Sequence, residues 1–502
     1  MEVYSTHAAI QELPDSEIPE QGMAAPCAQQ LVLDELLLDG NAPQNLASFV
    51  TTYMEPEAEK LILHGARVNM IDMDEYPQSA AIHQRCVNMI GKMWYAKPGD
   101  DGKMTGTACV GSSEAIMLAV LAMRARWRKA RKAAGLDTNK PNLVFGSNVQ
   151  CCWHKACMYF DVEAREAEVS EDELYLTPDR VAPHCDENTI GVCPILGSTF
   201  TGDFEDVQGI HNVLQRLNES NGWDIGIHVD AASGGFIAPF TQPELVWDFR
   251  LPLVRSINAS GHKFGLVYAG LGWLVFSEKK SLPDELVTHV NYLGGDQASF
   301  TLNFSKPASN VIAQYYNFIR LGREGFTAIL KNGMLNAQYL ADLLKSTGEI
   351  EIVDHNHMPL VAFRLIDPVK SGCTLFDLQD ALKARGWTVP AYRCPKGADD
   401  LVIMRAVVKQ NFSRNMARLL FRDIKHALDF FKEHPQHLHH EKNRKYKEIE
   451  EAARKEKRDD DDGEEDRVEL DNPNVASRNI TSLLVNGNKP RVLRRKRTTG
   501  VC

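Results

Sequence analysis

The stretch IGIHVDAASGGF at residues 225–236, followed by RSINASGHKFG at 255–265, decides how this 502-residue chain is read. Each opens as a short apolar run, the mark of a strand buried on both faces of an α/β sheet. The first run ends in Asp230, and the second leads into a turn that holds Lys263 with Ser260 and His262 beside it. Ligands of open α/β sheets bind beyond the carboxyl ends of the strands, so both side chains are candidates for one site. A lysine amine attacks an aldehyde only when deprotonated, and a partly buried strand-end setting lowers its pKa towards that state. Taken singly, Lys263 also reads as a surface lysine after a strand, and Asp230 as a cap or turn residue.

Around these runs, NLVFGS, NTIGVCPIL and GLGWLVF also read as buried strands, alternating with helical periods from about residue 110 onward. That alternation predicts βαβ units and a large α/β domain with a mostly parallel sheet. Gly111 to Gly135 reads as one long helix with a serine start and a glycine stop. Asn310 to Leu344 predicts a helix that links two domains. Beyond it, PLVAFRLI, a helix near Leu375 to Arg385, LVIMRAVV and a helix from Ser413 to Lys432 predict a smaller α/β domain. The expected organisation is a helical segment over 1–60 packing on a partner subunit, a large domain over 61–345, a small domain over 346–433 and a charged tail over 434–502.

With 44% hydrophobic residues the chain buries a large core. A net charge of -11 argues against a nucleic-acid or anionic-membrane partner for the body of the protein. No window approaches the ~20 apolar residues of a membrane span. The start, MEVYSTHAAIQELPDSEIPE, has neither a cationic beginning nor an apolar run, and this predicts a cytoplasmic protein. The cysteines show no disulfide spacing and no paired metal knuckles. Cys151 and Cys152 read as small buried residues in a strand-to-helix turn. His434, His437, His439 and His440 invite a metal reading, but a charged segment lacks the closed geometry a metal needs, so no metal is expected.

A third feature joins the two strand ends. Gly111-Ser112-Ser113-Glu114 opens the long helix, so backbone N–H groups, two hydroxyls and the positive end of the helix dipole converge on one anion site. Alone, this is also an ordinary capping box. Together with Lys263 and Asp230 it fits pyridoxal phosphate: serines for the phosphate, lysine for the aldehyde, and a carboxylate to keep the pyridinium nitrogen protonated.

GSSEA, NVQCCWHK, HVDAASGGF, SGHKFG and NFSKPASNVIAQYY, with LDGNAPQNLASF and DMDEYPQSAAIHQRCVNMI nearer the start, resemble the pyridoxal-phosphate-dependent group II decarboxylases. The likeness runs from about Leu31 to about Lys432 and is strongest to the glutamate-specific branch in its eukaryotic, plant-like form. It implies the fold of the pyridoxal-phosphate-dependent transferases, the aspartate aminotransferase type I fold. It also implies a carboxy-lyase that turns L-glutamate into 4-aminobutyrate and CO2 through a Schiff base on Lys263. By the same resemblance Ser112, Ser113 and His262 bind the phosphate, Thr199 and Asp230 lie near the ring, and Gln150 covers its face. Ser260, beside the lysine in its motif, also binds the cofactor, and Ser305 reaches the phosphate of a neighbouring subunit in a homodimer or a hexamer of dimers. Ser48, Phe49, Asn69 and Asp72 surround the distal carboxylate of glutamate, and Arg405 takes the α-carboxylate. A guanidinium suits that role because it grips carboxylate through two directional bonds, although a structural ion pair is the plainer reading of Arg405. Gln150 and the segment with Asn69 and Asp72 favour glutamate over another decarboxylase or a carbon–carbon lyase on the same scaffold. The reaction consumes a proton, so acidic conditions favour it.

Residues 459–466 (DDDDGEED) and 489–497 (KPRVLRRKR) are blocks of like charge that bury no core. Plant-type relatives carry an autoinhibitory calmodulin-binding tail, and residues 475–497 offer apolar anchors such as Ile480, Leu483, Leu484, Val492 and Leu493 among basic residues. This stretch departs from that pattern. The last tryptophan is Trp387, and Gly487 and Pro490 interrupt the helix such binding needs.

Overall fold

Strands β1 (Gly106–Cys109), β2 (Asn142–Gly146), β3 (Glu163–Ala167), β4 (Thr189–Val192), β5 (Gly226–Asp230), β6 (Val254–Ser260) and β7 (Gly272–Phe276) form one sheet in the order β1-β7-β6-β5-β4-β2-β3. The computed structural model from which this is read describes residues 13–290 and 297–434. The stretch at 475–497, both like-charge blocks and His437, His439 and His440 therefore lie outside the described residues. From β6 to β3 all pairings are parallel, and β7 alone runs against both its neighbours. β2, β4, β5 and β7 are wholly buried, and for that reason they read as continuous apolar runs. β3, with the sequence EAREA and an exposed beginning, gives no such run and was not expected. β1, four small residues long, was not expected either.

Helices α1 (Ala25–Leu36), α2 (Pro56–Gly65), α3 (Pro77–Met93), α4 (Ser112–Ala133), α5 (Cys152–Tyr159), α6 (Val207–Asn221) and the short α7 (Ala238–Thr241) accompany the sheet. A parallel pair of strands needs a crossover, and α4, α5 and α6 supply it. Between β6 and β7 there is only a turn, so β7 comes back antiparallel. Lys263 sits in that turn. A hairpin of β8 (Thr288–Val290) and β9 (Gln297–Ser299) precedes α8 (Ser309–Lys345). The unbroken helix expected over 310–344 is instead interrupted at Gly322, whose φ of 58° and ψ of −173° lie in a region that only glycine adopts readily.

The small domain holds β10 (Ile350–Ile352), β11 (Leu360–Leu365), α9 (Pro368–Ser371), α10 (Leu375–Ala384), β12 (Ala391–Arg393), β13 (Val402–Val407) and α11 (Arg414–Glu433). Its sheet runs β10-β11-β13-β12 and every pairing is antiparallel. Helices and strands alternate in this unit as expected, with α9 and α10 between β11 and β12, but its sheet is antiparallel throughout. Its core joins α10, α11, this sheet and the last turns of α8, and it takes in Leu46. Leu46 donates its N–H to the Thr388 carbonyl at 3.0 Å and accepts from the Val407 N–H at 2.9 Å. Part of the segment expected to pack on a partner subunit is thus clipped to the chain's own small domain, where it satisfies the backbone of β13.

Among the described residues no helix is long and apolar enough to cross a membrane. No group of three or more His, Cys, Asp or Glu residues there could hold a metal ion. The described cysteines from Cys86 to Cys394 are free thiols, and Cys151, expected to be buried, is exposed while Cys152 is buried. Cys151 is the residue before α5 and falls outside the buried helical stripe of Cys152, Trp153, Ala156 and Cys157.

Candidate active site

The turn after β6 is closed by the Lys263 N–H on the Ser260 carbonyl and the Leu266 N–H on the Lys263 carbonyl, both at 3.2 Å. Leu266 adopts φ 64°, a costly value for a branched residue, so the surrounding packing dictates the shape of this turn. The Lys263 amine donates to Ser233 Oγ at 3.2 Å and lies 5.2 Å from the centre of the Phe49 ring. Burial pushes its pKa below the ordinary lysine value; the charge of Asp230 opposes this and that of Arg405 adds to it. An amine so placed is ready to attack a carbonyl. Beside it, burial and the lysine charge push His262 down to about 4. The ring is neutral, and its Nδ1 accepts the Leu271 N–H at 3.2 Å, which leaves the proton on Nε2.

Asp230, at the end of β5, is buried and held by three donors. Asn258 Nδ2 reaches Oδ1 at 3.0 Å, the Ala232 N–H reaches Oδ1 at 3.1 Å, and Trp153 Nε1 reaches Oδ2 at 2.9 Å. Behind Asn258, His228 Nε2 stands 2.7 Å from Oδ1 of that amide, and His228 Nδ1 stands 2.8 Å from Ser256 Oγ. The β5–β6 register sets His228 opposite Ser256 and Asp230 opposite Asn258.

At the start of α4 the capping-box reading fails. Gly111 is extended and no side chain caps the first turn. Glu114 turns away instead, accepting from the N–H groups of Val110 at 2.7 Å, Leu302 at 2.9 Å and Asn303 at 3.1 Å. The first N–H groups of α4 are left for an external anion, as at other helix starts that bind phosphate. Ser112 Oγ lies 2.6 Å from Ser260 Oγ, which ties this turn to the lysine strand, and Ser113 is exposed. A Cβ on Gly272 would stand 2.5–2.9 Å from the Gly111 backbone, so only glycine lets β7 press against the turn. On the other side His262 Cε1 lies 3.4 Å from where a Cβ on Gly111 would be. Gln150 accepts the Cys152 N–H at 2.7 Å and so heads α5. An open helix start with two hydroxyls, a lysine whose pKa burial lowers and a fixed carboxylate fit the phosphate, aldehyde and ring nitrogen of pyridoxal phosphate.

Arg405 on β13 is fully buried. Its Nη2 donates to the Ala47 carbonyl at 2.5 Å, Nη1 donates to the Thr199 carbonyl, and Nε has no partner. Among the described residues no acidic side chain pairs with it, so the structural ion pair is not what holds it. Its guanidinium centre lies 4.5 Å from the Phe49 ring and 5.7 Å from the Tyr392 ring. Phe49 thus joins Lys263 and Arg405, and Ser48 sits next to it, its Oγ accepting the Val50 N–H at 3.1 Å. Asn69 and Asp72 are not part of this cluster. Asn69 bonds Ser305 Oγ at 3.4 Å and the Lys306 N–H at 3.2 Å, and the Asp72 N–H donates to the Asn69 carbonyl. Ser305 is exposed in that loop.

Several residues of the site do not emerge from the sequence: Ser233, Trp153, Tyr392 and the His228–Asn258–Ser256 set. The available signal was polar side chains at alternate positions inside two buried runs, His228 with Asp230 and Ser256 with Asn258, which point to one face of adjacent strands.

The chain matches the family described as "Pyridoxal-dependent decarboxylase conserved domain" over residues 19–366. It is 51% identical to "Glutamate decarboxylase 5" of Arabidopsis thaliana over 422 residues, 84% of each chain. It is 45% identical to the glutamate decarboxylase of Aliivibrio fischeri over 436 residues, 86% of this chain and 93% of that one. The solved glutamate decarboxylase of Lactobacillus brevis superposes with a TM-score of 0.83 at 42% identity, covering 86% of this chain and 98% of that chain. A sphingosine-1-phosphate lyase of Burkholderia pseudomallei, 19% identical with a TM-score of 0.71 over 89% of this chain and 98% of its own, shares the fold. Identity at this level over most of the length, on a fold common to a wider set of enzymes, places the chain more narrowly than the fold does. It belongs to the pyridoxal-dependent decarboxylase family, in the branch formed by the glutamate decarboxylases.

Proposed function

We infer that this chain is itself a glutamate decarboxylase, taking L-glutamate to 4-aminobutyrate and CO2 with pyridoxal 5′-phosphate bound at Lys263. The observation that carries this reading is Arg405: a buried guanidinium without an acidic partner, facing the same phenyl ring as the lysine amine. A buried charge is costly unless paired, so the site is built for an anion that arrives with the substrate.

When bound, pyridoxal phosphate supplies an electron sink for the pair left at Cα as CO2 departs. The start of α4, with Ser112, Ser113 and His262, would hold the phosphate, Asp230 would serve the ring nitrogen, and Gln150 and Thr199 would border the ring. Arg405 grips the α-carboxylate and fixes the direction in which it leaves. The Lys263 amine carries the cofactor and afterwards returns a proton to Cα. Ser48 and Phe49 border the distal carboxylate. Asn69 and Asp72, held in the Ser305 loop instead of the Arg405 cluster, serve the neighbouring subunit of a homodimer or hexamer, as Ser305 does. The protein works in the cytoplasm, and residues 475–497 are a calmodulin-responsive tail.

Lys263→Ala should abolish CO2 release together with the visible absorbance of the bound cofactor. Arg405→Met should lower kcat/KM for glutamate by roughly 30- to 5,000-fold, since truncating one partner of a buried charge pair costs about 2–5 kcal/mol. An assay of CO2 release across acidic, aromatic and basic amino acids in which glutamate is not preferred would sink the substrate assignment. Activity of the full chain that is indifferent to calcium and calmodulin, and to truncation near Asn472, would remove the tail from the account.

A further inference from the structure

We propose that His228 and Asn258 are positioning residues for Asp230. Ser256, His228, Asn258 and Asp230 form a one-way chain of hydrogen bonds, which fixes the Asn258 amide as a donor to the carboxylate. The proton shared between Asp230 and the cofactor's ring nitrogen is thereby kept on the nitrogen. The proposal rests on the cofactor reading above and adds residues to it that touch neither cofactor nor substrate.

The direction of the chain follows from the groups themselves. An asparagine amide has a donor end and an acceptor end that a half-turn exchanges. An ionised carboxylate only accepts, so the end 3.0 Å from Asp230 Oδ1 is Nδ2 and the other end is Oδ1. That oxygen lies 2.7 Å from His228 Nε2, which must therefore carry a hydrogen. Burial pushes His228 down to about 4, so the ring is neutral and has a single N–H. Nδ1 is then bare, and it accepts from the Ser256 hydroxyl at 2.8 Å. Each assignment forces the next, and no member of the chain is more than 4% exposed. Water therefore cannot substitute for a lost link.

The strand register supplies the precision. Two polar pairs, each spaced by two residues, face one another across β5 and β6. Inside a low-dielectric sheet a donor aimed at a carboxylate favours its charged form. With Asn258 free to turn, an amide oxygen would face the carboxylate oxygen, and the shared proton would move towards Asp230. A ring nitrogen that has lost its proton draws electrons poorly. Trp153 and the Ala232 N–H hold Asp230 independently, so losing the chain weakens the effect without removing the carboxylate.

The test uses the full-length holoenzyme loaded with pyridoxal phosphate labelled with ¹⁵N in its ring. In the wild type at neutral pH the ring nitrogen should resonate as protonated. His228→Leu and Asn258→Leu should move it towards the unprotonated position and lower kcat about 10–100-fold, the range typical of groups that orient a ligand-bearing residue, with KM for glutamate little changed. His228→Gln places an amide nitrogen where Nε2 stands and should restore both readouts. Ser256→Ala, a smaller change than the leucine substitutions, should shift the resonance in the same direction by less, and it serves if they prevent folding. Loaded variants with the wild-type resonance would overturn the proposal alone. So would leucine and glutamine at 228 behaving alike, since His228 would then act by packing only. A wild type that takes up no cofactor would overturn the functional reading as well.

Discussion

Phe49 lies against two basic groups, the Lys263 amine at 5.2 Å and the Arg405 guanidinium at 4.5 Å. A ring face attracts each charge by about 0.5–2 kcal/mol. The same ring excludes water from the amine, and burial shifts a lysine by up to about 3–5 pH units, an effect several times larger. Burial wins, and the lysine is poorer in protons than an exposed one. Phe49→Ala should therefore raise the pKa of Lys263. The pH midpoint for cofactor capture by the apoenzyme should move upward, a shift that titrating absorbance recovery would detect. At this scale the sequence was legible where a charge interrupts an apolar run, as at Asp230, Lys263 and Arg405. It was opaque where partners meet only across strands. Trp153 reaches Asp230 from 77 positions away, and Asn258 reads within its own run as an unremarkable polar residue.

Elements with strong periodicity were predictable because their burial is one-sided or complete. α4, α11 and the buried strands all emerged near their observed bounds. β3 and β1 did not, since an edge strand needs no apolar run and four small residues carry no pattern. The break in α8 was missed for a different reason. Glycine inside a helical pattern is often tolerated, and only the backbone angles at Gly322 show that here it is required. A Cβ there would meet nothing within 4 Å, so Gly322→Ala tests the backbone alone. It should cost about 1–3 kcal/mol, seen as a lower Tm, while glutamate turnover at low temperature is retained. Antiparallel order in the small sheet was likewise invisible, because apolar runs look the same in either direction.

The whole molecule carries a load of buried neutral groups that sets its acid limit. His83, His228 and His262 are each pushed down to about 4 by burial, against an ordinary value of 6.5. Between those values the unfolded chain takes up three protons that the fold refuses, so stability falls as pH falls. Glu205, buried and raised to about 7, works the other way by binding one proton in the fold first. The balance of two protons predicts a loss approaching about 3 kcal/mol per pH unit from pH 6.5 towards 4.5. Urea midpoints of the apoenzyme across that range should fall steadily, and a flat profile would contradict the assignment. Acid therefore helps a proton-consuming reaction while it erodes the protein that performs it.

Lys263 and Asp230 hang from adjacent strands of one sheet, whereas the guanidinium of Arg405 rests on carbonyls contributed by Ala47 and Thr199, with β13 beneath it. Between the domains, Asp203 Oδ1 takes His355 Nδ1 at 2.7 Å, the Phe204 N–H donates to His357 Nδ1 at 3.3 Å, and the Tyr392 hydroxyl donates to the Phe200 carbonyl at 2.9 Å. Colour and selectivity thus have separate supports. Mild heat or denaturant that loosens the seam between the domains should therefore leave an enzyme that is still yellow but has lost its discrimination among amino acids, with bleaching only when the sheet itself gives way, an order that absorbance and CO2 release followed together would show.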